Sequence, residues 1–392
     1  MPITAPQPRA RPRSFLPATS SAVAAPSSAW VTGSKGVSLR RGGARGASPT
    51  RRGMASGRVV RGLLRLPSIG RPPDASRRKK ESTMGMVEGQ RILITGPAGQ
   101  IAFPLAARLA KDNEVFGIAR FSDASTRERC ESAGIATAVV DLSNPDWSKT
   151  PESFDYVLHL AAAIVPGEDY DASIEINAGG TGHVMSRFRD AKACLMMSTC
   201  GVYAAPSDYG KAVLETDPLG GTPQPYAPTY CISKISQEAV AKFAAQEFGL
   251  PTTIARMNAA YGDNGGFPSM IADMVLGGVT VQAMPKGQGD VMTPIHEDDI
   301  YAHTKGLLDS ATVPATIVNW GGDEGVGVGE MAEYVAARLG REAKVEHGAD
   351  GIHQYWLDPA KRIGLAGPCE VPWREGVDRL LRARHPEIEL QD

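Results

Sequence analysis

Residues 91–102 read Arg-Ile-Leu-Ile-Thr-Gly-Pro-Ala-Gly-Gln-Ile-Ala, and this stretch decides the fold of the chain. The apolar run at 92–94 predicts a strand that is buried on both faces. A Gly96-x-x-Gly99-x-x-Ala102 turn follows it and opens a helix that we predict over 102–111. Gly96 permits a tight turn, Gly99 lets the backbone approach a ligand, and Ala102 keeps helix and strand close. The free N–H groups at the start of that helix favour an anion such as a phosphate.

Short apolar runs alternate with amphipathic segments along the rest of the chain. The runs read as strands are 92–94, 115–119, 138–140, 156–160, 194–197, 253–255 and 317–318, and a second clear helix is predicted over 177–191. This alternation predicts an α/β fold with a doubly wound parallel sheet, the Rossmann arrangement. We assign 89–261 to the dinucleotide-binding core. Residues 262–392 are predicted to form mainly a smaller substrate-binding lobe, with a segment near 293–320 returning to the sheet.

The first 88 residues have a different composition from the rest. Residues 1–80 contain 14 Arg, 3 Lys and a single acid, Asp74, whereas the complete chain has a net charge of −1. Such an Arg-, Ser-, Ala- and Pro-rich segment cannot bury enough apolar surface to fold, so we predict a disordered basic leader over 1–88. It fits an organelle transit peptide, a nucleic-acid-binding tail or an accessory tail. A wrongly assigned start also fits, because Met84 and Met86 stand just before the first strand.

Composition also restricts the compartment and the partners. Five scattered cysteines without a CxxC pair argue against a disulfide scaffold and favour a reducing compartment. No apolar run has the length that a transmembrane helix requires. We therefore expect a cytoplasmic protein, or an imported one if the leader is a transit peptide. The expected partner is a small-molecule substrate, with neither nucleic acid nor a membrane.

The end of the second strand bears on the choice of cofactor. An NAD-binding protein places an acid there to hold the ribose hydroxyls, but this chain continues from Ala119 to Arg120. A guanidinium at that position pairs well with a 2′-phosphate. This favours NADP over NAD, although NAD stays open because Arg120 also fits a solvated strand end.

A tyrosine and a lysine four residues apart form the candidate catalytic pair. Tyr230 and Lys234 begin a segment with helical spacing that ends at Gly249, so both lie on one helix face. A nearby ammonium favours the phenolate form of tyrosine, which makes Tyr230 a plausible acid and base. Taken alone, such a spacing occurs often by chance, and a pair of exposed surface side chains is the favoured interpretation. Thr199 strengthens the catalytic interpretation, because it follows a predicted strand and its hydroxyl faces the ligand crevice.

These motifs together resemble the extended short-chain dehydrogenase/reductases, also called the NAD-dependent epimerase/dehydratase family. The resemblance covers about residues 90 to 345 in the family's order and spacing. The matching segments are the glycine turn, 141–142, 159–163, 177–181, the Ser-Thr-x-x-Val-Tyr run at 198–203, the YxxxK pair, Arg256 with 261–262, and 319–322. They are specific for the superfamily and unspecific for the substrate.

The resemblance implies roles for individual residues. Thr199 would bind the substrate oxygen, Tyr230 would move its proton, and Lys234 would hold the nicotinamide ribose and lower the phenol's pKa. Asn177 resembles a helix asparagine that is structural or part of a proton relay. The residues implied in cofactor binding are Gly96, Gly99, Gln100, Ile101, Arg120, Asp141, Leu142, Ala161, Ala162, Tyr230 and Lys234. The implied chemistry is hydride transfer between nicotinamide C4 and a carbonyl or carbinol carbon.

Three departures from the family pattern concern the substrate. Cys200-Gly201 replaces the acid pair that family dehydratases use to eliminate water. Ala259 and Met292 stand where sugar-nucleotide enzymes usually carry an asparagine and an arginine that hold the diphosphate. We therefore predict a dehydrogenase or reductase of a smaller or more apolar compound. The alternatives are a nucleotide-sugar epimerase with a retained cofactor and a non-catalytic NADP-sensing protein. The family also suggests a homodimer.

Other reactive residues receive structural interpretations. Cys200 and Cys231 adjoin catalytic positions, but packing is favoured over a role as an acid. The run from His296 to Asp299 is read as a solvated turn or helix cap, so no metal site is predicted. Trp320 and Trp356 fit either a substrate pocket or the core.

Overall fold

The computed structural model describes residues 87–221, 224 and 227–391. The predicted basic leader lies outside these residues except for its last two, Val87 and Glu88. Val87 is buried, and its carbonyl accepts a hydrogen bond from Asn113 Nδ2 at 2.8 Å. The chain therefore packs on the core at the first position that the structure describes.

Helices and strands alternate through the first two thirds of this region. The strands are β1 (Arg91–Thr95), β2 (Glu114–Ala119), β3 (Ala136–Val139), β4 (Tyr156–His159), β5 (Ala193–Thr199), β6 (Thr252–Met257), β7 (Ala260–Gly262), β8 (Gly265–Gly266), β9 (Val281–Ala283), β10 (Val291–Met292), β11 (Ile295–His296), β12 (Thr316–Trp320), β13 (Val326–Gly327) and β14 (Val345–His347). The α-helices are α1 (Ala102–Leu109), α2 (Ala124–Ser132), α3 (Tyr170–Ile174), α4 (Gly180–Arg187), α5 (Tyr230–Phe248), α6 (Phe267–Leu276), α7 (Glu297–Asp309), α8 (Val328–Arg338), α9 (Ala360–Ala366) and α10 (Trp373–Arg384). A π-helical segment, Glu175–Gly179, joins α3 to α4, and a 3₁₀ turn, Cys200–Val202, follows β5.

Seven parallel strands form the central sheet in the order β12-β6-β5-β4-β1-β2-β3. All seven predicted strands are present in it, which confirms the predicted α/β Rossmann fold. The strand order reverses between β1 and β4, and ligands of such folds bind beyond the carboxyl ends of the strands at this reversal. The candidate site is therefore expected where β1, β4 and β5 end.

Alternation along β1 divides the core between the two faces of the sheet. Ile92 and Ile94 pack in one buried cluster, which also contains residues of α1, α7 and α9. Leu93 points to the opposite face and packs in a second cluster with residues of α4 and α5. Successive side chains of a strand face opposite ways, so a strand covered on both faces is apolar throughout.

The region after 262 divides between two cores. Helices α6, α8 and α10 enclose a separate hydrophobic cluster within the segment predicted as the smaller lobe. In contrast, α7 and β12 return to the main sheet, where Ile300 and Trp320 are fully buried. The division into a dinucleotide-binding core and a substrate-binding lobe stays a prediction.

The predicted helix over 177–191 is the element that differs most from expectation. Its first residues belong to the π-helical segment, and the α-helix that follows ends at Arg187. Phe188 leaves the helical conformation, with φ of −113°, and packs its ring edge-to-face on Trp147 and Phe154. Burial of that ring therefore ends the helix. Among the described residues, no helix combines the length and apolarity needed to cross a bilayer.

Candidate active site

The glycine turn lies at the reversal of strand order, directly after β1. Gly96 has a φ of 66°, a region that L-residues rarely adopt, and its N–H donates to the Ile118 carbonyl at 2.8 Å. A Cβ at Gly96 would lie 3.2 Å from the Cα of Ala161, which belongs to the loop after β4. The turn thus requires glycine for its conformation and for this close approach.

The amino terminus of α1 follows the turn. Its N-cap is Ile101, whose side chain offers no oxygen to the first-turn N–H groups, and Phe103 N–H donates to the Gly99 carbonyl at 2.9 Å. The positive end of the helix dipole and an apolar cap together suit a bound anion.

The loop after β7 is fastened to this turn, a contact that the sequence did not reveal. Asn264 Nδ2 donates to the Gln100 carbonyl at 2.8 Å, and Gln100 Nε2 donates to the Gly265 carbonyl at 3.3 Å. Arg129 donates to Asn264 Oδ1 at 2.7 Å. The loop after β7 is therefore held against residues implied in pyrophosphate binding.

Arg120 and Asp141 lie at the ends of the neighbouring strands β2 and β3, and both are exposed. The Asp141 carboxylate accepts hydrogen bonds from Ser143 N–H at 3.0 Å and Ser143 Oγ at 2.9 Å. These bonds lower the pKa of Asp141, and the charge of Arg120 lowers it further. The structure thus brings a cation and an anion to the same sheet edge. Leu142 lies next to them and packs against Gly180. A Cβ added at Gly180 would lie 2.9 Å from the Cβ of Leu142.

The loop after β4 is held by side chains on both sides of the crevice. Thr95 Oγ1 accepts hydrogen bonds from the N–H groups of Leu160 and Ala161, at 3.0 and 2.9 Å. Asn177 makes two hydrogen bonds with the backbone of Ala163. Asn177 Nδ2 donates to the Ala163 carbonyl, and the Ala163 N–H donates to Asn177 Oδ1. Ala161 is half-buried and Ala162 is exposed, so both line the open side of the loop.

Lys234 and Tyr230 lie together at the start of α5. Lys234 is buried, and its Nζ donates to the Met197 carbonyl at 2.8 Å and lies 6.0 Å from the centre of the Tyr230 ring. Met197 is two residues before Thr199, so the lysine ties the start of α5 to the end of β5. Thr199 is half-buried there, and its Oγ1 accepts a hydrogen bond from Gly201 N–H at 3.2 Å. Burial lowers the pKa of Lys234 to about 7, against the charge of Glu238, which raises it.

A buried ion pair, which was not evident from the sequence, lies one helical turn beyond Lys234. Glu238 accepts hydrogen bonds from Arg256 Nε at 2.9 Å, from Arg256 Nη2 at 2.8 Å and from Ser198 Oγ at 2.7 Å. Burial alone would raise the pKa of Glu238, but the Arg256 guanidinium outweighs it and holds that pKa below its usual value. Tyr230, Lys234 and Glu238 follow at intervals of four residues, which is the signal that would have placed Glu238 on the same face.

Asn177 connects the loop after β4 to helix α5. Its Nδ2 also donates to Ser233 Oγ at 2.9 Å, and Ser233 Oγ donates to the Tyr230 carbonyl at 2.8 Å. The Asn177 amide therefore holds the backbone of the loop after β4 and the start of α5 in place. This matches the structural role considered for Asn177.

His159 is the centre of a buried polar network beneath the site. Since Thr95 Oγ1 accepts two N–H groups, its proton is directed at His159 Nδ1, 2.9 Å away. His159 Nε2 then donates to Thr181 Oγ1 at 2.7 Å. Burial and the charge of Lys234 lower the pKa of His159 to about 3, so the imidazole is neutral.

This neutral histidine makes stability depend on pH. Unfolding restores an ordinary histidine pKa near 6.5, so below that pH the unfolded chain takes up a proton that the folded chain does not. The free energy of unfolding should therefore fall as the pH decreases. The slope of this fall should be steeper in the wild type than in a His159→Gln variant, by about 1.4 kcal/mol per pH unit. Urea unfolding between pH 6.5 and pH 4 measures the difference. The control is His183→Gln at an exposed position, and parallel curves for wild type and His159→Gln would refute the neutral assignment.

The other reactive residues largely follow their structural interpretations. Burial raises the pKa of Cys200 to about 12, and it raises that of Cys231 as well, so neither is an acid at neutral pH. His296 is the N-cap of α7, and its Nδ1 accepts the Asp298 N–H at 3.2 Å, which confirms the predicted cap. Asp299, in contrast, is fully buried and is not part of a solvated turn.

The two tryptophans have different environments. Trp320 is buried in the main core, whereas 36% of Trp356 is exposed. Trp356 lines a shallow open groove together with Tyr209, Lys211 and Gln354. Of the two, only Trp356 is accessible to a ligand.

Comparison with curated proteins gives two relatives that are oxidoreductases. An L-arabinose 1-dehydrogenase (NAD(P)(+)) from Haloferax volcanii is 29% identical over 41% of this chain, and the match spans 63% of that relative's length. A dTDP-4-dehydro-6-deoxy-D-allose reductase from Streptomyces bikiniensis is 25% identical over 70% of this chain and 86% of its own.

Similar solved structures include nucleotide-sugar epimerases. UDP-glucuronic acid 4-epimerase from Bacillus cereus, solved with UDP-glucuronic acid and NAD, has a TM-score of 0.63 and 22% identity, covering 74% of this chain and 98% of its own. UDP-N-acetylglucosamine 4-epimerase from Methanobrevibacter ruminantium has a TM-score of 0.65 and 16% identity, covering 77% and 100%. At these identities the likeness concerns the fold.

A family model matches residues 92–297, which is more than half of the chain and includes the glycine turn, Thr199, Tyr230 and Lys234. The chain belongs to the NAD dependent epimerase/dehydratase family.

Proposed function

We propose that this protein is an NADP(H)-linked oxidoreductase that transfers hydride between nicotinamide C4 and a carbonyl or carbinol carbon. The observation that carries the proposal is the position of Lys234, whose buried Nζ binds the end of β5 and lies 6.0 Å from the Tyr230 ring centre. Both relatives described above are also named as a dehydrogenase or a reductase.

The residues present fit a dinucleotide. The space at Gly96 that a Cβ would fill and the amino terminus of α1 suit the pyrophosphate, with Gly99, Gln100 and Ile101 beside it. The adenosine half of the cofactor would be contacted by Asp141, Leu142, Ala161 and Ala162. Arg120 would bind the 2′-phosphate. When bound, the cofactor supplies the hydride.

The reaction itself requires a proton at the substrate oxygen. Thr199 Oγ1 would position that oxygen, and the Tyr230 hydroxyl would give or take its proton. Lys234 would hold the ribose and, as a cation, favour the phenolate of Tyr230. Its pKa of about 7 means that its charge is lost as the pH rises through neutrality, unless cofactor binding holds it.

The substrate is proposed to lack a nucleoside diphosphate. Met292, at the position where sugar-nucleotide enzymes usually carry an arginine, is fully buried in the hydrophobic cluster of the small lobe. Ala259, where they carry an asparagine, has a φ of 40° and no polar side chain. A buried methionine and an alanine offer no polar group that could hold a diphosphate, which favours a smaller or more apolar carbonyl compound as substrate.

The proposed setting is a reducing compartment such as the cytoplasm, in keeping with five cysteines that form no disulfide in the described part of the chain. We also propose a homodimer formed through α5, which exposes 62% of Phe243 and 39% of Ile232. Sedimentation analysis of wild type and Phe243→Glu tests the dimer.

The cofactor assignment is tested by titrating NADPH and NADH while monitoring nicotinamide fluorescence. We expect NADPH to bind more tightly, and Arg120→Ser to weaken NADPH binding by about 10- to 100-fold, the equivalent of one charge-assisted bond. NADH binding should be unchanged. Arg127→Ser is the matched control, because Arg127 pairs with Glu131 on α2. Tighter binding of NADH, or an equal loss for both cofactors, would contradict the role of Arg120.

A further inference from the structure

Three potential metal ligands lie close together between α7 and the segment that joins α9 to α10. Asp299 and His303 are one turn apart on α7, and Cys369 lies in the segment between α9 and α10. Each residue offers one ligand atom, and these atoms lie within 4.8 Å of one another. Asp299 and His303 are each 1% exposed, so the cluster is not a chance grouping of surface acids.

The imidazole of His303 has an unused nitrogen. Its Nε2 lies 3.3 Å from the Pro368 carbonyl, to which it donates, which leaves Nδ1 as the nitrogen with a lone pair. Nδ1 is buried and has no hydrogen-bond partner among the described residues. An unpartnered buried polar atom is costly, and metal-bound histidines usually donate their other N–H to a carbonyl in this way.

We propose that Asp299, His303 and Cys369 bind one zinc ion. A carboxylate, an imidazole and a thiolate together match the borderline character of zinc, whereas calcium and magnesium select oxygen ligands only. The thiol releases its proton on binding, so carboxylate and thiolate neutralise the ion. The neighbouring Arg362 is already paired with Asp323 and adds no net charge.

The surroundings of the cluster suit a structural ion. Asp299 also accepts the N–H groups of Glu370 and Val371, at 2.7 and 3.4 Å. Zinc spaces its ligand atoms by roughly 3.3 to 3.8 Å in a tetrahedron, so the side chains need to close by about an ångström. The ion would then fasten the segment before α10 to α7, independently of the nicotinamide site.

The test uses the full chain, saturated with Zn²⁺, freed of excess metal by gel filtration and analysed by atomic emission. We expect one zinc per chain in wild type and a loss of stoichiometric zinc in Cys369→Ser and His303→Gln. Cys130→Ser, a buried thiol on α2 outside the cluster, should retain it. With Co²⁺ as the probe, wild type should show a thiolate charge-transfer band that Cys369→Ser lacks.

Two results would overturn the proposal. Wild type that retains far less than one zinc per chain would show that the three residues form only a hydrogen-bonded cluster. Zinc retained by both variants would place the metal elsewhere. Since the wild-type measurement decides on its own, a variant that fails to fold does not remove the test.

Discussion

Replacement of Tyr230 by phenylalanine is expected to lower kcat by about 10²- to 10⁴-fold, the usual contribution of a positioned acid or base. The change removes one hydroxyl and leaves the ring that lies beside Lys234. Affinity for NADPH should change little, because the pyrophosphate turn is untouched. Initial rates and a fluorescence titration on the same preparation separate the two effects.

The matched control for this experiment is Tyr301→Phe, which removes a phenol hydroxyl on α7. Tyr301 stacks with Arg108 and is distant in sequence from the catalytic pair. Full turnover by the Tyr230→Phe protein would show that Tyr230 is not the proton donor. A protein that binds NADPH but shows no turnover in any form would instead favour the cofactor-sensing alternative.

Replacement of Glu238 by glutamine is expected to destabilise the protein by about 3–5 kcal/mol, because it leaves a buried guanidinium without its counter-ion. Arg256 is 2% exposed and donates two hydrogen bonds to this carboxylate. The same change removes a charge that supports the ammonium form of Lys234. Urea unfolding at pH 7 gives the change in the free energy of unfolding.

Two further variants make this result specific. Glu247→Gln, at an exposed position on the same helix, should alter the free energy of unfolding by less than about 0.5 kcal/mol. Glu238→Gln combined with Arg256→Met removes both charges, so it should be more stable than the sum of the single changes. Strict additivity, or a small effect of Glu238→Gln alone, would show that the pair does not hold this part of the core.

Much of the fold follows from local pattern, because the strands of a parallel sheet are buried on both faces and read as apolar runs. Runs such as 92–94 and 194–197 identified their strands, and the glycine turn fixed the order of the first unit. The YxxxK spacing also predicted a contact that is present in the structure, because residues four apart lie on one face of a helix.

The polar network could not be predicted, because its partners are far apart in sequence. Thr95 and His159 are 64 residues apart, and Arg256 and Glu238 are 18 apart. Neither pair has a local spacing that signals contact. The same reason explains Asp299, which lies in an acidic run but faces a segment some 70 residues later.

Several positions that carry the family resemblance hold the fold rather than the chemistry. The Tyr261 hydroxyl donates to the Trp373 carbonyl at 3.2 Å, which fastens α10 to β7. Tyr203, in the run after β5, donates to Asn319 Oδ1 at 2.6 Å and is fully buried. Substitutions at these tyrosines should therefore reduce stability before they affect catalysis.

The most direct test of hydride transfer by this protein follows the hydrogen from the cofactor. NADPH deuterated at C4 is incubated with the protein and a panel of aldehydes, ketones and nucleotide sugars, and the products are analysed by mass spectrometry. We expect an alcohol that carries the deuterium and contains no nucleoside diphosphate, formed in the same amount as the released NADP⁺. An inverted nucleotide sugar without deuterium and without net consumption of NADPH would contradict it.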